Sequence, residues 1–533
     1  MNKKSIYQTN RRHQIENLDT LPLIDRSLID YDKYHKFVGH AGVKYSMAIQ
    51  ATRGCPWECF YCDIYKTSPI HRRKSVEHIF KEVKYLTDIG VKRIEFIDDI
   101  FNANRKNFIS FFKLVLKHQL DVKFFFPSGL KGDLLDEEMI DLMVEVGVIG
   151  INLSLEHASP RLQKVMRKNL NVEKLHDNLQ YITEKHPSVV IGLNAMFGFP
   201  TETEEEALMN LDYIKSIRWI HFPYLHNVII FPGTELERFA LESGIPRVLI
   251  EQSQDKLFNE LPATLPFSQD FTKSVRTMFL RDYVLSKERL LHILPYQLEQ
   301  FCEDELNQKY NSYFPTRIKS LNNLLDLVRI DRSELRPVKN FEESRCRIPN
   351  LKTRIKAKFP TVGKKKGNAM RLMLIDLSAY FSQDIESSEY DVLESPIGLM
   401  SLLSYVNREF GDRIEGKIYK SRIDFHRFAD LYDLTNEFSP DIIGVRTLTL
   451  YKDFFHEAIA YIRKRGIKVP IIAGGPYATA SSVEILQDKN INLVVIGEGE
   501  LTFANIIERT LYNDKHIPNA EVLKQIDGIA FVK

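Results

Sequence analysis

The chain has little cysteine for its size, five residues in 533. That excludes a small secreted fold stapled by disulfides, which needs many cysteines in a short chain. It has no run of about 18 apolar residues, so no membrane-spanning helix is expected. It also lacks an excess of either charge. Lysine and arginine (73) nearly cancel aspartate and glutamate (71), leaving a net charge of +2 and no electrostatic case for nucleic acid. Met1-Asn2-Lys3-Lys4-Ser5 has no apolar run after its lysines, so a signal peptide is not expected. Hydrophobic residues make up 44% and charged residues 27%, the balance of a globular chain with two or three domains. Sparse cysteine fits a reducing compartment, and the expected localisation is cytoplasmic.

What cysteine there is lies mostly in one place. Arg53-Gly54-Cys55-Pro56-Trp57-Glu58-Cys59-Phe60-Tyr61-Cys62 has the spacing C-x3-C-x2-C. Three thiolates this close can hold three irons of a four-iron, four-sulfide cluster and leave the fourth iron without a protein ligand. Zinc is the alternative, but its spacings come as C-x2-C pairs or with histidines, and Cys302 and Cys346 are distant and isolated. The spacing, with an aromatic at Tyr61, resembles the signature of the radical S-adenosylmethionine (SAM) enzymes. The resemblance implies a 4Fe-4S cluster on Cys55, Cys59 and Cys62. SAM would chelate the open iron through its amino and carboxylate groups. One electron, from a donor such as flavodoxin or ferredoxin, would cleave the sulfonium to a carbon radical.

Around this loop, apolar β-branched runs alternate with amphipathic helical patterns. Strands are predicted at 45–51, 93–97, 122–126, 150–155, 189–196 and 225–231. Helices are predicted at 75–89, 105–117, 136–146, 172–185 and 204–217. Six strands alternating with helices predict an α/β fold with a parallel sheet, here a partial (β/α)6 TIM-like barrel. Chemistry in such sheets sits at the carboxyl ends of the strands. The cysteine loop follows the first strand, and Asp98-Asp99 and Glu156-His157 end later ones. The resemblance assigns Glu156 to the ribose or amino group of SAM and Asp98 or Asp99 to its amino-acid end. It assigns Arg167 to the SAM carboxylate. Taken alone, each is as readily a helix-cap or loop residue, and His157 reads as structural. No catalytic residue is assigned.

A second alternation begins at Met370 and predicts about five strands of a doubly wound, flavodoxin-like (Rossmann-type) domain. Its strand ends carry Thr447-Leu448-Thr449, Gly474-Gly475-Pro476 and Gly497-Glu498-Gly499, and glycine admits close approach of a large ligand. With Pro396-x-Gly398-Leu399, this set resembles the cobalamin-binding domain of one class of radical SAM enzymes. The resemblance implies that Thr447, Thr449, Gly474, Gly475, Pro476, Gly497 and Glu498 line cobalamin. The loop Ser378–Asp384 has no histidine, so no histidine would sit below the cobalt. A flavin or other nucleotide, or an empty structural domain, stays open as an alternative.

The expected organisation is a connector over 1–44, the radical SAM partial barrel over 45–249 and a helical extension over 250–346. A basic linker over 347–369, with Lys364-Lys365-Lys366, leads to the cobalamin-binding-like domain over 370–533. In the family the cobalamin domain precedes a connector like Asn17-Leu18-Asp19-Thr20-Leu21-Pro22. The order here therefore resembles a circular permutation, with a fusion of two neighbouring enzymes as the rival. A permutation would send residues 1–16 back to the C-terminal domain. The implied function is a cobalamin-dependent radical SAM methyltransferase acting on an unactivated carbon or a phosphorus centre of a small-molecule substrate. The alternatives are a radical SAM cyclase or rearrangement enzyme that uses cobalamin without methyl transfer, and a non-catalytic SAM- and cobalamin-binding regulator. No nucleic-acid or membrane partner is expected.

Overall fold

The computed structural model describes residues 5–254, 265–314, 317–359, 367–381 and 392–532. These fall into two compact units. One comprises 5–34, 350–381 and 395–532; the other comprises 35–349 and 392–394. The short strand β1 (Ile6–Gln8) belongs to the first unit.

The second unit is built on six parallel strands. They are β2 (Ser46–Ile49), β5 (Arg93–Phe96), β6 (Lys123–Phe126), β7 (Val148–Glu156), β8 (Val190–Phe197) and β9 (Phe222–Asn227), adjacent in that order. A separate two-stranded ribbon, β3 (Thr52–Arg53) with β4 (Arg72–Arg73), brackets the cysteine loop. Helices Val76–Asp88, Arg105–Lys117, Glu137–Glu145, Val172–Lys185 and Glu204–Ser216 connect the sheet strands. Each starts on a Ser, Asn, Asp or Thr whose side chain accepts an amide of the first turn. Their apolar stripes bury one face of the sheet. Phe96, Phe101, Phe108, Phe111, Phe112 and Phe126 form one ring-on-ring cluster, all fully buried. Each such ring contributes roughly 2–3 kcal/mol by burial.

The sixth strand begins three residues before its predicted start and ends at Asn227. The apolar run Val228–Ile230 that suggested it packs instead with Phe60, Leu162 and Phe199, beneath the cysteine loop. The helical extension closes the amino ends of the strands. Glu305, on helix Glu303–Asn311, pairs with Arg93 at 2.6 Å with both side chains buried. Arg289 donates to the carbonyls of Ile220 and His221 at the entry to β9.

In the first unit, β10 (Met370–Asp376), β11 (Ile414–Lys420), β12 (Ile442–Arg446), β13 (Ile471–Gly474) and β14 (Leu493–Val495) run parallel in the order 11-10-12-13-14. This is the flavodoxin-like arrangement, with its switch point at β10. β15 (Ile529–Val532) adds antiparallel to β14, and β1 adds antiparallel to β15. The return of the N-terminal segment expected from a permuted order is thus present. Ile15, Leu18 and Leu21 continue it, buried against Tyr405 and Leu501. The connector expected over 1–44 is divided at residue 34 between the two units.

The basic linker expected over 347–369 contains a helix, Leu351–Lys358. Its lysines obscured the i, i+4 pair Leu351 and Ile355, both buried in the first unit. After β13 the chain forms two short helices, Pro476–Ala480 and Ser482–Ile485. Residues 364–366 and 382–384 lie outside the described residues.

Ile6 sits opposite Val532 in an antiparallel pair, so a hairpin turn can join them. A rearranged chain running Gly367–Val532, Asn-Gly, then Ile6–Phe359 is expected to fold. Its thermal midpoint, read by circular dichroism, should lie within about 5 °C of the parent. An insoluble product, or a loss of more than about 10 °C, would contradict the pairing.

Candidate active site at the carboxyl ends of the strands

The cysteine loop leaves the carboxyl end of β2 and is held by its backbone. Gly54 has φ +80°, and a Cβ there would lie 2.4 Å from the Ile70 carbonyl oxygen and 2.5 Å from that of Ser68, so only glycine fits. Its amide donates to Asp99 Oδ2 at 2.8 Å. Phe60 donates its amide to Met166 O and accepts the Leu236 amide, each at 3.0 Å. Its ring packs on Phe199 and Phe239. Cys55, Cys59 and Cys62 are partly buried and free of disulfides.

Burial pushes all three thiols up, Cys62 to about 12, and Cys59 acts electrostatically on both of the others. Lys168 opposes burial at Cys55 and Cys59. Among the described residues, no three His, Cys, Asp or Glu side chains are arranged to hold one metal ion. A four-iron cluster would take one thiolate at each of three separate iron corners.

Glu156 ends β7 at an irregularity. It has φ +62°, and the β7–β8 register shifts between Ser154 and Glu156. Such a break at a strand end redirects a side chain. The Glu156 carboxylate accepts from Lys168 Nζ at 2.6 Å and Tyr61 OH at 3.1 Å. Tyr61, expected beside SAM, is thereby tied to the residue assigned to SAM's ribose or amino group.

Arg167 is in the left-handed region and pairs with Glu235 at 2.6 Å, half-exposed. The cation against Glu156 is the next residue, Lys168, which sequence reasoning passed over. Lys131 was also missed. It pairs with Asp133, donates to Asn169 O and lies over the Trp57 ring within the cysteine loop.

The Asp pair divides. Asp99 holds the Gly54 amide. Asp98 is buried and accepts from the Ala51 amide at 2.9 Å, the Thr52 amide and the Thr52 hydroxyl, while its Oδ2 has no partner among the described residues. Both therefore shape the loop. Burial raises the Asp98 carboxyl to about 7 despite these bonds. His157 is structural, as expected. It is fully buried, accepts the Ser159 amide on Nδ1 and meets Glu202 through Nε2 at 3.0 Å. Glu202 in turn holds the amides of Gly198 and Phe199.

In the first unit, Thr447 is buried and donates its hydroxyl to Leu377 O at 2.7 Å, a bond within the sheet edge. Thr449 opens the turn Thr449–Tyr451. Pro476 starts a helix, and Glu498 accepts the Ile15 amide. Gly475 lies against Arg446. Beside Gly474 and Gly497 the space where a Cβ would sit is open, and Gly497 has φ +81°. A broad ligand can therefore lie against bare backbone at the ends of β13 and β14. At the switch point, Asp376 is buried between Lys420 at 2.9 Å and Arg446 at 3.0 Å, which hold its carboxyl far below the usual range.

Comparison with known proteins agrees with this geometry. Residues 49–214 match the Radical SAM superfamily and residues 388–507 match the B12 binding domain. The chain thus carries a Radical SAM domain and a B12 binding domain. A 4Fe-4S cluster, SAM and cobalamin are its cofactors. The thiol trio, the Glu156–Lys168 pair and the bare glycine edge are residues that fit them.

The chain is 28% identical over 240 residues to an uncharacterized methyltransferase, PH0819, of Pyrococcus horikoshii, covering 44% of this chain and 49% of that one. It is 27% identical over 207 residues to the tRNA-2-methylthio-N(6)-dimethylallyladenosine synthase of Aquifex aeolicus, covering 37% and 47%. The chain spans about half the length of these curated relatives. Among solved structures it is similar to the methyltransferase TsrM of Kitasatospora setae (17% identity, 40% and 41% covered, TM-score 0.35). It is also similar to the cobalamin-dependent enzyme OxsB (13%, 59% and 54%, TM-score 0.34). Among the described residues no helix is long and apolar enough to cross a membrane.

Two outcomes follow from the site. Lys168→Met should weaken SAM binding about tenfold or more in equilibrium dialysis, because it leaves Glu156 without its cation. Arg167→Met, which breaks a half-exposed pair, should change it by less than about twofold. Equal effects would contradict the placement.

For Asp98, the folded carboxyl near 7 lies above the ordinary 3.8. Between those values the folded state holds a proton that the unfolded chain has released, so stability falls as pH rises through that window. Asp98→Asn removes this term. Its stability relative to wild type, by urea denaturation, should improve by at least about 1 kcal/mol from pH 4.5 to pH 8. An unchanged difference would contradict the shift.

Proposed function

We propose that this chain is a cobalamin-dependent methyltransferase acting on an unactivated carbon or a phosphorus centre of a small-molecule substrate. The observation that carries the reading is the union, in one chain, of a thiol trio at the carboxyl rim of a radical SAM domain with a B12-binding domain. The methyltransferase names of relatives support it. When bound, the cluster with SAM supplies a carbon radical and cobalamin supplies a methyl carrier. The chain's own residues bind, orient and shield. Tyr61 and Lys168 fix the Glu156 carboxylate at the rim. The helical extension closes the amino end of the strands against water. A low-potential donor such as flavodoxin or ferredoxin belongs to this reading, as does a cytoplasmic location.

The test is anaerobic incubation of the reconstituted protein with methyl-labelled SAM and a small-molecule extract, followed by mass spectrometry. Label should appear in a new small molecule and vanish in Cys59→Ala. Deoxyadenosine without transferred label would replace methyl transfer by cyclisation or rearrangement. Neither product would mean a non-catalytic binding protein.

A further inference from the structure

Gly54 and Phe60 grip the cysteine loop at its two flanks. Between them the arc Pro56-Trp57-Glu58 carries the backbone from Cys55 to Cys59. Among the described residues, no hydrogen bond or ion pair from outside the loop reaches this arc. A cation meets it instead. Lys131 Nζ lies 5.1 Å from the centre of the Trp57 ring. At that distance the negative face of an indole attracts an ammonium.

Lys131 is buried where three strand-end loops meet. Asn102 clasps its backbone, accepting the Lys131 amide and donating to the Lys131 carbonyl, each at 2.9 Å. That ties it to the loop after β5, whose Asp99 holds Gly54. An ammonium has three N–H donors, and here their acceptors are all at hand. Each Asp133 carboxylate oxygen lies 2.8 Å from Nζ, and Asn169 O accepts at 2.7 Å. Asp133 also accepts the Asn171 amide. The Lys131–Asp133 pair thereby fixes the turn that follows Lys168, the cation bound to Glu156. One buried lysine thus joins the arc of the cysteine loop to the turn that aims Lys168.

Its charge also reaches the thiols. Lys131, with Lys168, opposes the burial that pushes up the Cys59 thiol, and the Trp57 amide donates to the Cys55 sulfur. A four-iron cluster that takes one electron from a low-potential donor goes from its 2+ to its 1+ state. No bond forms or breaks, and the cluster gains one negative charge. A buried cation nearby favours that state, and a carboxylate opposes it.

We propose that Lys131 is a positioning residue of the cluster site: through Trp57 it fixes the arc between Cys55 and Cys59, and its ammonium, held by Asp133 and Asn169, makes the cluster easier to reduce. This rests on the cluster and not on methyl transfer.

The experiment uses the full chain, reconstituted anaerobically with iron and sulfide, without SAM. It is poised at a series of potentials with redox mediators, and the reduced cluster is read by electron paramagnetic resonance. At the potential that half-reduces wild type, the reduced-to-oxidised ratio should fall at least tenfold in Lys131→Met, a shift of about 59 mV for one electron. Lys131→Arg keeps the charge and stacks on an indole, so its ratio should stay within about threefold of wild type. Asp133→Asn removes the opposing carboxylate and should raise the ratio about threefold or more. A purely structural disturbance would move both variants the same way. A fall in both, or an unchanged ratio in Lys131→Met, would overturn the electrostatic role.

Positioning has its own readout. The chain has two tryptophans, so Trp219→Phe leaves Trp57 as the reporter. In the full chain without its cluster, Lys131→Met should raise acrylamide quenching of Trp57 about twofold, because the ring loses its cation. Unchanged quenching would overturn the positioning role. If Lys131→Met fails to fold, Lys131→Arg and Asp133→Asn carry the test, and an unchanged or lowered ratio in Asp133→Asn would overturn the proposal. Both readouts stand whether or not a methyl group is transferred.

Discussion

The loop from Gly54 to Cys62 has almost no secondary structure of its own, and the site depends on its being clamped from outside. Asp99, Met166 and Leu236 each supply a backbone-directed hydrogen bond, from the ends of three different barrel elements. Gly54 permits the passage between the Ser68 and Ile70 carbonyls that aims the loop over the sheet. Three thiols cannot be offered to a cluster from a floppy segment without a large ordering cost. The barrel meets that cost before any cofactor arrives. The same clamp explains why Asp98 stays buried near the loop base in spite of its desolvation. Its three accepted hydrogen bonds fix Ala51 and Thr52, the residues from which the loop departs.

Charge is distributed along the strands in a consistent way. Most amino ends are sealed by apolar packing around Leu290, Leu294 and Tyr310, with Arg93–Glu305 as a buried tie. Carboxyl ends hold the reactive and charged groups: the thiols, Glu156 with Lys168, and, in the other sheet, Asp376 between Lys420 and Arg446. Buried charges of this kind add little to stability beyond their own desolvation. Their position at the strand ends, where α/β sheets bind ligands, is what makes them informative.

Most strands and helices were legible because apolar period and cap residues agree, as in Arg105–Lys117 and Val172–Lys185. The sixth strand was misplaced because Val228–Ile230 is apolar for packing under the cysteine loop, not for pairing. The helix Leu351–Lys358 was hidden because only two of its residues are buried among lysines. At the site, the cysteines and Glu156 were readable from spacing and strand-end position. Lys168 was not. Arg167 and Asn169 both take left-handed backbone, so adjacent cations turn apart, one to Glu235 and one to Glu156.

The central claim is that Cys55, Cys59 and Cys62 hold a four-iron cluster with one iron left for SAM. Mössbauer spectroscopy of the protein reconstituted with iron-57, recorded before and after SAM, tests it most directly. The account predicts a single cubane signal in which about one quarter of the iron changes on adding SAM. A mononuclear or two-iron spectrum, or a four-iron spectrum indifferent to SAM, would contradict it.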